Sequence, residues 1–353
     1  MSVLPRTKLL IVDDSAYNRR QLGDVFEAHP DIDVVGKAGD GEEALRLATL
    51  LKPDVITLDL EMPKMDGFTF LRILMSKQPT PVIVVSSYAQ RENVFKALEL
   101  GAVDFIAKAD QQISAEATEL KEQVLKRVLD LRVSKPFRFT SPRPSNPVLM
   151  RKTMPPPAQG RPPSYIVAIA SSTGGPTALL DLISQIPATS RAAFVIAQHM
   201  PDKFTRTFAE RLDKRGAIRT FEAAGGETLL SGQAYVCPGR RCMEVVREGV
   251  ELRLRVREPR SSDKYVPSGD VLLSSVAAIS KFGSARTVGV VLTGMGDDGS
   301  IGAKAISEAG GKIIVESVET AVVYGMPREV VRTGIPCQEL PLPKIGEFLS
   351  KLV

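Results

Sequence analysis

The chain has 353 residues, of which 43% are hydrophobic and 25% are charged, with three cysteines, two histidines and a net charge of +5. This length predicts two globular domains, and the composition excludes disordered, collagen-like and disulfide-scaffold proteins. A sparse and odd number of cysteines favours a reducing compartment, so we expect a cytoplasmic protein. The apolar run before Asp13 and Asp14 is too short for a signal peptide, and no stretch approaches the length of a membrane-spanning helix. Two histidines also exclude a metal site built from three imidazoles.

The first predicted domain, residues 1–131, alternates short apolar runs with stretches of helical periodicity. The predicted strands are Lys8–Val12, Val34–Ala38, Val55–Asp59, Val82–Ser86 and Asp104–Ala107. The predicted helices are Ala16–Glu27, Gly41–Leu51, Gly67–Met75, Arg91–Leu100 and Ser114–Leu131. Buried β-branched runs that alternate with helices indicate a doubly wound α/β fold with a parallel sheet. The active crevice of such a fold lies at the carboxyl ends of the strands.

Polar residues stand at those strand ends. They are Asp13, Asp14, Asp59, Ser86 and Lys108. Three carboxylates at one edge repel each other unless a cation compensates them, and carboxylate and carbonyl oxygens suit Mg²⁺. With the ammonium group of Lys108 at the same edge, the set predicts a site that handles phosphate.

These residues, together with the run from Asp59 to Gly67, resemble a two-component receiver domain of flavodoxin-like fold. The resemblance implies that Asp59 accepts a phosphoryl group from a histidine kinase. It also implies that Asp13 and Asp14 hold Mg²⁺ together with the backbone carbonyl of Glu61, with Asp59 as a further ligand. The predicted cofactor of this domain is therefore Mg²⁺.

Three further receiver positions follow from the same resemblance. Ser86 and Lys108 would contact the phosphoryl oxygens, and Phe105 matches the aromatic switch position. Ala109 is a departure, because receivers usually carry proline after the lysine. It weakens the predicted geometry of that loop and leaves the chemistry of Lys108 in place.

Residues 132–163 hold seven basic side chains, no acidic ones and nine of the 25 prolines. Without them the chain has a net charge of −2, so the basic excess belongs to this segment. Its composition predicts an extended interdomain linker, and a basic arm for nucleic acid or anionic lipid is the alternative. We favour the linker and expect neither a nucleic-acid partner nor insertion into a membrane.

The second predicted domain, residues 164–353, also alternates strands and helices. Its predicted strands include Tyr165–Ala170, Ala193–Ala197 and Val288–Leu292, and a helix is predicted over Ala178–Ile186. In a parallel sheet the ends of these strands share one edge, where a serine, a histidine and an aspartate can meet. A serine hydroxyl becomes a nucleophile when a base held by a third group takes its proton.

The turn after the first of these strands has three possible uses. Its amides could cradle a phosphate, Ser172 or Thr173 could cap the following helix, or a serine could act as a nucleophile. The turn alone favours capping, and no nucleotide-binding glycine motif is present. His199 is the histidine available to this domain, because His29 lies between the first helix and the second strand, where we expect a surface role.

Three runs that contain these residues closely resemble the CheB family of chemotaxis protein-glutamate methylesterases. They are Ser172–Gly175, Gln198–Pro201 and Leu292–Gly299, and Phe204–Leu212 and Tyr324–Glu329 strengthen the match. The resemblance covers nearly the whole chain except the linker. It implies a Rossmann-like esterase domain joined to the receiver by the Pro-rich linker.

The resemblance assigns Ser172 as nucleophile, His199 as base and Asp298 as the group that orients the base. Thr173 and Met295 match positions associated with the active site and oxyanion stabilisation.

Two of these assignments have an adjacent alternative, because Ser171 precedes Ser172 and Asp297 precedes Asp298. Asp297 stands where the family often has Asn and brings a second carboxylate near the site. Tyr265 and Val266 depart from a His-Arg-Pro-Ser-Val-Asp run of many members, a substitution that we expect to alter substrate contacts.

The resemblance predicts that the protein hydrolyses glutamate methyl esters on methyl-accepting chemoreceptors, with release of methanol. It also predicts deamidation of receptor glutamines. Ester hydrolysis would need no cofactor. The unphosphorylated receiver would cover the esterase cleft until Asp59 is phosphorylated. The alternatives are a response regulator whose second domain only binds DNA or a small ligand, and a nucleotide-binding domain that uses the turn at Ser172.

Overall fold

The computed structural model describes residues 5–87, 91–108, 114–132, 161–280, 283 and 285–353, without the side chains of 86–87, 91, 114–120 and 132. The chain divides into two compact units, Met1–Pro144 and Ser145–Val353. The division falls within the predicted linker, of which residues 133–160 lie outside the described residues. The extended conformation of that segment stays a prediction.

The first unit is built on a parallel sheet in the order β2-β1-β3-β4-β5. Its strands are β1 (Thr7–Val12), β2 (Ile32–Ala38), β3 (Val55–Leu58), β4 (Val82–Ser87) and β5 (Asp104–Lys108). Its helices are α1 (Ala16–Glu27), α2 (Gly41–Leu51), α3 (Gly67–Lys77), α4 (Arg91–Glu99) and α5 (Ser114–Arg132). Every strand and helix predicted here is present, with boundaries that shift by no more than two residues.

Helix capping explains why several of these boundaries were predictable. The side chains of Ser15, Asp40 and Asp66 accept backbone N–H groups at the starts of α1, α2 and α3. Such caps satisfy N–H groups that have no partner within the helix. The short polar residues that closely follow β1 and β2 therefore start α1 and α2 and place their first turns at the carboxyl edge of the sheet.

The second unit is a parallel sheet in the order β14-β13-β12-β6-β7-β9-β8, with a separate antiparallel hairpin. The sheet strands are β6 (Tyr165–Ser171), β7 (Ala192–Gln198), β8 (Arg219–Glu222), β9 (Gln233–Val236), β12 (Arg286–Val291), β13 (Lys312–Glu316) and β14 (Gln338–Leu340). The hairpin strands are β10 (Cys242–Glu248) and β11 (Glu251–Arg257). The helices are α6 (Gly175–Gln185), α7 (Asp202–Arg215), α8 (Gly269–Ser280), α9 (Ser300–Glu308), α10 (Met326–Arg332) and α11 (Leu342–Ser350).

The three strands predicted for this unit are neighbours in the order β12-β6-β7. β6 is buried along nearly its whole length because it pairs with β7 on one side and with β12 on the other. Their carboxyl ends therefore lie side by side, as the sequence predicted. Both units confirm the predicted class of two doubly wound α/β domains.

The cysteines and the lengths of the helices bear on two smaller expectations. Cys237 and Cys242 are buried and Cys337 is half buried. Their reduced state stays a prediction. Among the described residues, no helix has the length and apolar character needed to cross a membrane.

Candidate active site

The turn after β6 carries Ser172 and Thr173 into a glycine at the N-cap of α6. This residue, Gly174, has a φ of +79°, which favours glycine, and an added Cβ would lie 2.7 Å from Val322 Cβ. Capping by Ser172 or Thr173, which the turn alone suggested, is therefore wrong, because neither residue occupies the N-cap. Pro176 lies in the first turn of α6, so the helix begins three residues before its predicted start.

Backbone contacts fix Ser172 at the edge of the sheet. Its N–H donates to the carbonyl of Thr293 at 3.0 Å, and its own carbonyl accepts the N–H of Gly175 at 2.8 Å. Gly294 passes so close that an added Cβ would lie 2.7 Å from Ser172 Cβ. The end of β6 is thereby joined to the segment that follows β12.

The rival serine is committed to the interior. Ser171 is fully buried, and its hydroxyl donates to Gln198 Oε1 at 2.7 Å. The amide nitrogen of Gln198 in turn donates to the carbonyls of Ser172 and His199, each at 3.0 Å. Gln198 thus ties the serine turn to the histidine. Sequence reasoning missed this role, although its place beside His199 at the end of β7 was visible.

His199 and Asp298 form a direct pair. His199 Nε2 lies 2.7 Å from Asp298 Oδ2, and the His199 side chain keeps 14% of its surface exposed while Asp298 is fully buried. A carboxylate at Nε2 favours the tautomer that carries its hydrogen there. The lone pair of the neutral ring then lies on Nδ1, which is the nitrogen able to accept a proton.

Asp298 is surrounded by hydrogen-bond donors. Its oxygens accept the N–H groups of Gly269 at 2.6 Å and Asp270 at 2.9 Å, and the hydroxyl of Ser268 at 3.3 Å. Burial alone would raise the pKa of Asp298, but the bond to His199 and these N–H groups outweigh burial and lower it. Asp298 is therefore held as an anion beside the imidazole.

The runner-up carboxylate points to a different partner. Asp297 accepts Lys264 Nζ at 2.7 and 2.8 Å and the Tyr265 hydroxyl at 2.9 Å, and it is half exposed. The bond from Lys264 lowers the pKa of Asp297 in spite of partial burial. Its charge is thus compensated by a lysine, whereas Asp298 is paired with the histidine.

Thr293 connects the serine turn to two further segments. Its hydroxyl donates to the carbonyl of Thr173 at 2.8 Å and accepts the N–H of Val323 at 2.9 Å. Its own N–H donates to Oε2 of Glu316, the last residue of β13, at 2.8 Å. Thr173 is fully buried. Glu316 was not predicted, because nothing in its local sequence shows that β13 ends beside β12.

Met295, two residues after Thr293, is half buried. An added Cβ at Gly325 would lie 3.2 Å from Met295 Sδ, so the loop before α10 packs directly on it. The roles of Thr173 and Met295 in oxyanion stabilisation stay predictions.

Glu316 gives a testable dependence of stability on pH. It is fully buried, and burial raises its pKa to about 7 from 4.5, although the N–H of Thr293 opposes the shift. The folded protein keeps a proton that the unfolded chain releases, so this group's contribution to stability falls as the pH rises from 4.5 to about 7.

We expect Glu316→Gln to remove that dependence, because the amide oxygen still accepts the N–H of Thr293 and carries no charge. The stability of the variant relative to the wild type should therefore be higher at pH 8 than at pH 5, by roughly 2–3 kcal/mol. Denaturant unfolding of both full chains at the two pH values measures this. An equal difference at pH 5 and pH 8 would contradict the assignment.

In the first unit, Lys108 bridges two of the predicted carboxylates. Its Nζ lies 2.9 Å from Asp13 Oδ2 and also contacts Asp59 Oδ2. The ligand oxygens of Asp13, Asp14 and Asp59 all lie within 4.8 Å of one another. The structure thus brings together the three acidic residues and the lysine that the sequence placed at one edge.

The electrostatics of this cluster suit a divalent cation. Burial raises the pKa of Asp59, the contacts with Lys108 oppose that shift, and the neighbouring charge of Asp13 adds to it. One ammonium group does not balance three carboxylates, so the donor set fits Mg²⁺. The N–H of Glu61 lies 3.4 Å from Asp59 Oδ1, and the role of its carbonyl stays a prediction.

The other receiver positions are placed as follows. Phe105 is buried, with its ring centroid 6.2 Å from that of Phe95. The backbone of Ser86 pairs with Ala107, but its side chain and all of Ala109 lie outside the described residues. His29 is half buried in the turn before β2, where Nδ1 accepts the N–H of Asp31 at 3.3 Å.

Comparison with known proteins finds two family matches. Residues 167–349 match the CheB methylesterase family, and residues 9–137 match the response regulator receiver domain. A Myxococcus xanthus protein named protein-glutamate methylesterase/protein-glutamine glutaminase 1 is 44% identical, over 98% of this chain and 96% of its own length. A Pyrococcus abyssi relative, named protein-glutamate methylesterase/protein-glutamine glutaminase, is 38% identical over 99% of this chain and 94% of its own.

A solved structure gives the same result for the second unit. The crystal structure of the Thermotoga maritima CheB methylesterase catalytic domain superimposes with a TM-score of 0.51 at 36% identity. The match covers 54% of this chain and 99% of that domain.

Proposed function

Since this chain belongs to the CheB methylesterase family, we propose that it hydrolyses glutamate methyl esters on chemoreceptors and deamidates receptor glutamines. The observation that carries the proposal is the buried His199–Asp298 pair at the sheet edge that also holds Ser172. A nucleotide-binding role for the turn would leave this pair unexplained. We place this chemistry in the cytoplasm, where the unpaired cysteines stay reduced.

The proposed reaction uses Ser172 as the nucleophile. As Ser172 Oγ attacks the ester carbonyl, its proton passes to Nδ1 of His199, and the imidazolium that forms is stabilised by Asp298 at Nε2. The tetrahedral intermediate collapses when His199 returns the proton to the departing methoxide oxygen. Water then attacks the acyl-enzyme by the same route, and the products are methanol and the glutamate side chain. No cofactor takes part in these steps.

Backbone contacts limit where the oxyanion donors can come from. The N–H of Ser172 is bound to the Thr293 carbonyl, and the N–H of Gly175 is bound to the Ser172 carbonyl. Neither group can turn toward a substrate oxygen without breaking the turn. Thr173 and Met295, the positions implied by the family, stay the candidates for this role.

We further propose that the receiver controls the esterase. A histidine kinase would transfer a phosphoryl group to Asp59, with Mg²⁺ held by Asp13, Asp14, Asp59 and the carbonyl of Glu61 to neutralise the added charge. Lys108 now binds both Asp13 and Asp59, so it is placed to move to a phosphoryl oxygen. Ser86 would be the second contact, and the unphosphorylated receiver would inhibit hydrolysis.

The experiment measures methanol release from methylated receptor membranes by the full chain, with and without Mg²⁺ and a small-molecule phosphodonor. We expect the phosphodonor to raise the rate of the wild type by roughly 5- to 150-fold, the usual size of such coupling. Asp59→Asn should show no increase, because the acceptor carboxylate is gone.

Asp54→Asn is the matched control, because Asp54 is exposed and binds the N–H of Lys8 at the opposite end of β3. This variant should respond as the wild type does. No methanol release under either condition would overturn the esterase proposal, and undiminished stimulation of Asp59→Asn would overturn the control by Asp59.

A further inference from the structure

The face of the catalytic imidazole is covered by a tyrosine. The rings of Tyr265 and His199 are nearly parallel, at 12°, with centroids 5.2 Å apart. Tyr265 lies in the segment before α8, whose next residues include the donors Ser268 and Gly269 to Asp298. One short segment therefore contacts the histidine through its face and through its carboxylate partner.

The tyrosine ring is itself fixed at its far end. Its hydroxyl donates to Asp297 Oδ1 at 2.9 Å, and Lys264 Nζ binds both oxygens of that carboxylate. The absence of a side chain at Gly296 makes room for this arrangement, because an added Cβ would lie 2.4 Å from the Tyr265 hydroxyl oxygen. Gly296 also has a φ of +96°, which favours glycine.

A single hydrogen bond at Nε2 does not fix an imidazole. The ring can still turn about its χ2 angle, which has a broad and roughly two-fold preference. Such a rotation moves Nδ1, the nitrogen that would accept the proton in the proposed mechanism, while Nε2 stays near the carboxylate. A flat surface packed on the ring face removes this freedom.

We infer that Tyr265 is a positioning residue, which holds the plane of the His199 ring and is itself held by Asp297 and Lys264. The inference rests on the proposed function, because it assigns the tyrosine to the orientation of the proposed base. Asp297 thereby gains a role different from the one considered from sequence. It acts on the histidine through the tyrosine, while Asp298 acts on it directly.

The test compares Tyr265→Ala and Tyr265→Phe in the full chain, with methanol release as the activity. We expect Tyr265→Ala to lower kcat by roughly 10- to 100-fold, the cost of a misplaced catalytic group, with KM changed by less than about threefold. Tyr265→Phe keeps the stacked ring and loses only the bond to Asp297, so its kcat should fall far less than that of Tyr265→Ala, by no more than about threefold. Tyr165→Phe is the control, because its hydroxyl contacts Arg286 at the opposite end of β6.

A second readout is independent of activity. The chain has two histidines, so ¹⁵N-histidine labelling gives two imidazole spectra, and His29→Gln identifies that of His199. In the wild type we expect the spectrum of a ring with its hydrogen on Nε2. Tyr265→Ala should move the shifts toward an average of both tautomers, and Tyr265→Phe should not.

Several outcomes would overturn the inference. A raised KM with unchanged kcat in Tyr265→Ala would show a substrate contact instead, and an unchanged kcat together with an unchanged His199 spectrum would show no role. A failure of the proposed function would look different, because the wild type itself would release no methanol. The His199 spectrum would still test whether Tyr265 positions the ring.

Discussion

The Ser172→Ala variant is expected to release methanol from methylated receptors roughly 10⁴- to 10⁶-fold more slowly than the wild type. In the proposed mechanism the alanine removes the oxygen that attacks the ester, and water at the same place lacks the position that the turn gives to the serine. The backbone bonds of Ser172 to Thr293 and Gln198 do not involve its hydroxyl. The thermal unfolding midpoint should therefore stay close to that of the wild type.

Ser171→Ala is the matched control for this variant. It removes a buried hydroxyl one residue away and leaves Gln198 Oε1 without its donor, at a cost of about 1–3 kcal/mol in stability. The rate of methanol release should stay within about tenfold of the wild type, because the Gln198 amide nitrogen keeps its bonds to Ser172 and His199. Equal release by Ser172→Ala and the wild type would remove the esterase mechanism. A larger loss in Ser171→Ala would assign the nucleophile to Ser171.

The Asp298→Asn variant is expected to lower kcat by roughly 10³- to 10⁴-fold. Three N–H groups donate hydrogen bonds to this carboxylate. They are His199 Nε2–H and the backbone N–H groups of Gly269 and Asp270. In either orientation of the asparagine side chain, its NH₂ group must therefore face one of these donors and cannot form a hydrogen bond with it. When the NH₂ group faces His199, Nε2 must act as the acceptor and the ring hydrogen moves to Nδ1. In the proposed mechanism the ring can then no longer accept the proton of Ser172.

Steady-state methanol release and the ¹⁵N spectrum of His199 measure this effect, since the wrong tautomer has its own shifts. Asp297→Asn is the control, because its oxygen can still accept the Tyr265 hydroxyl at 2.9 Å. Its kcat should fall by no more than about threefold. Equal losses in Asp297→Asn and Asp298→Asn would contradict the assignment of Asp298 as the partner of His199.

Much of the framework was predictable because local patterns and tertiary structure agree. In the first unit, apolar runs mark the strands, and capping residues such as Ser15 and Asp40 mark the helix starts. In the second unit, placing the ends of three strands at one edge was enough to bring His199 to Asp298. The hairpin β10–β11 was not predicted, although Gly249, with a φ of +63°, turns the chain between two runs of alternating burial.

The residues that position the site could not be identified from the sequence, for a physical reason. Tyr265 comes from a loop, and its packing on His199 depends on how the segment before α8 crosses the sheet edge. Glu316 is recognised only when β13 is known to pair with β12. The preference for Asp298 over Asp297 rested on the family resemblance, since adjacent residues differ in environment by side-chain direction, which periodicity does not give. Periodicity assigns buried faces, but it does not identify which residues meet across loops.

The pairing of β6 with β12 has a consequence for biosynthesis. Tyr165 lies opposite Arg286 in the register of the sheet, so the strand that carries the serine turn is completed by a strand made much later on the ribosome. A nascent or truncated chain that ends before β12 contains Ser172 and His199 but lacks Asp298 and the Thr293 carbonyl that anchors the turn. We therefore expect incomplete translation products to lack esterase activity, which should appear only after the chain has been synthesised and folded to at least Asp298.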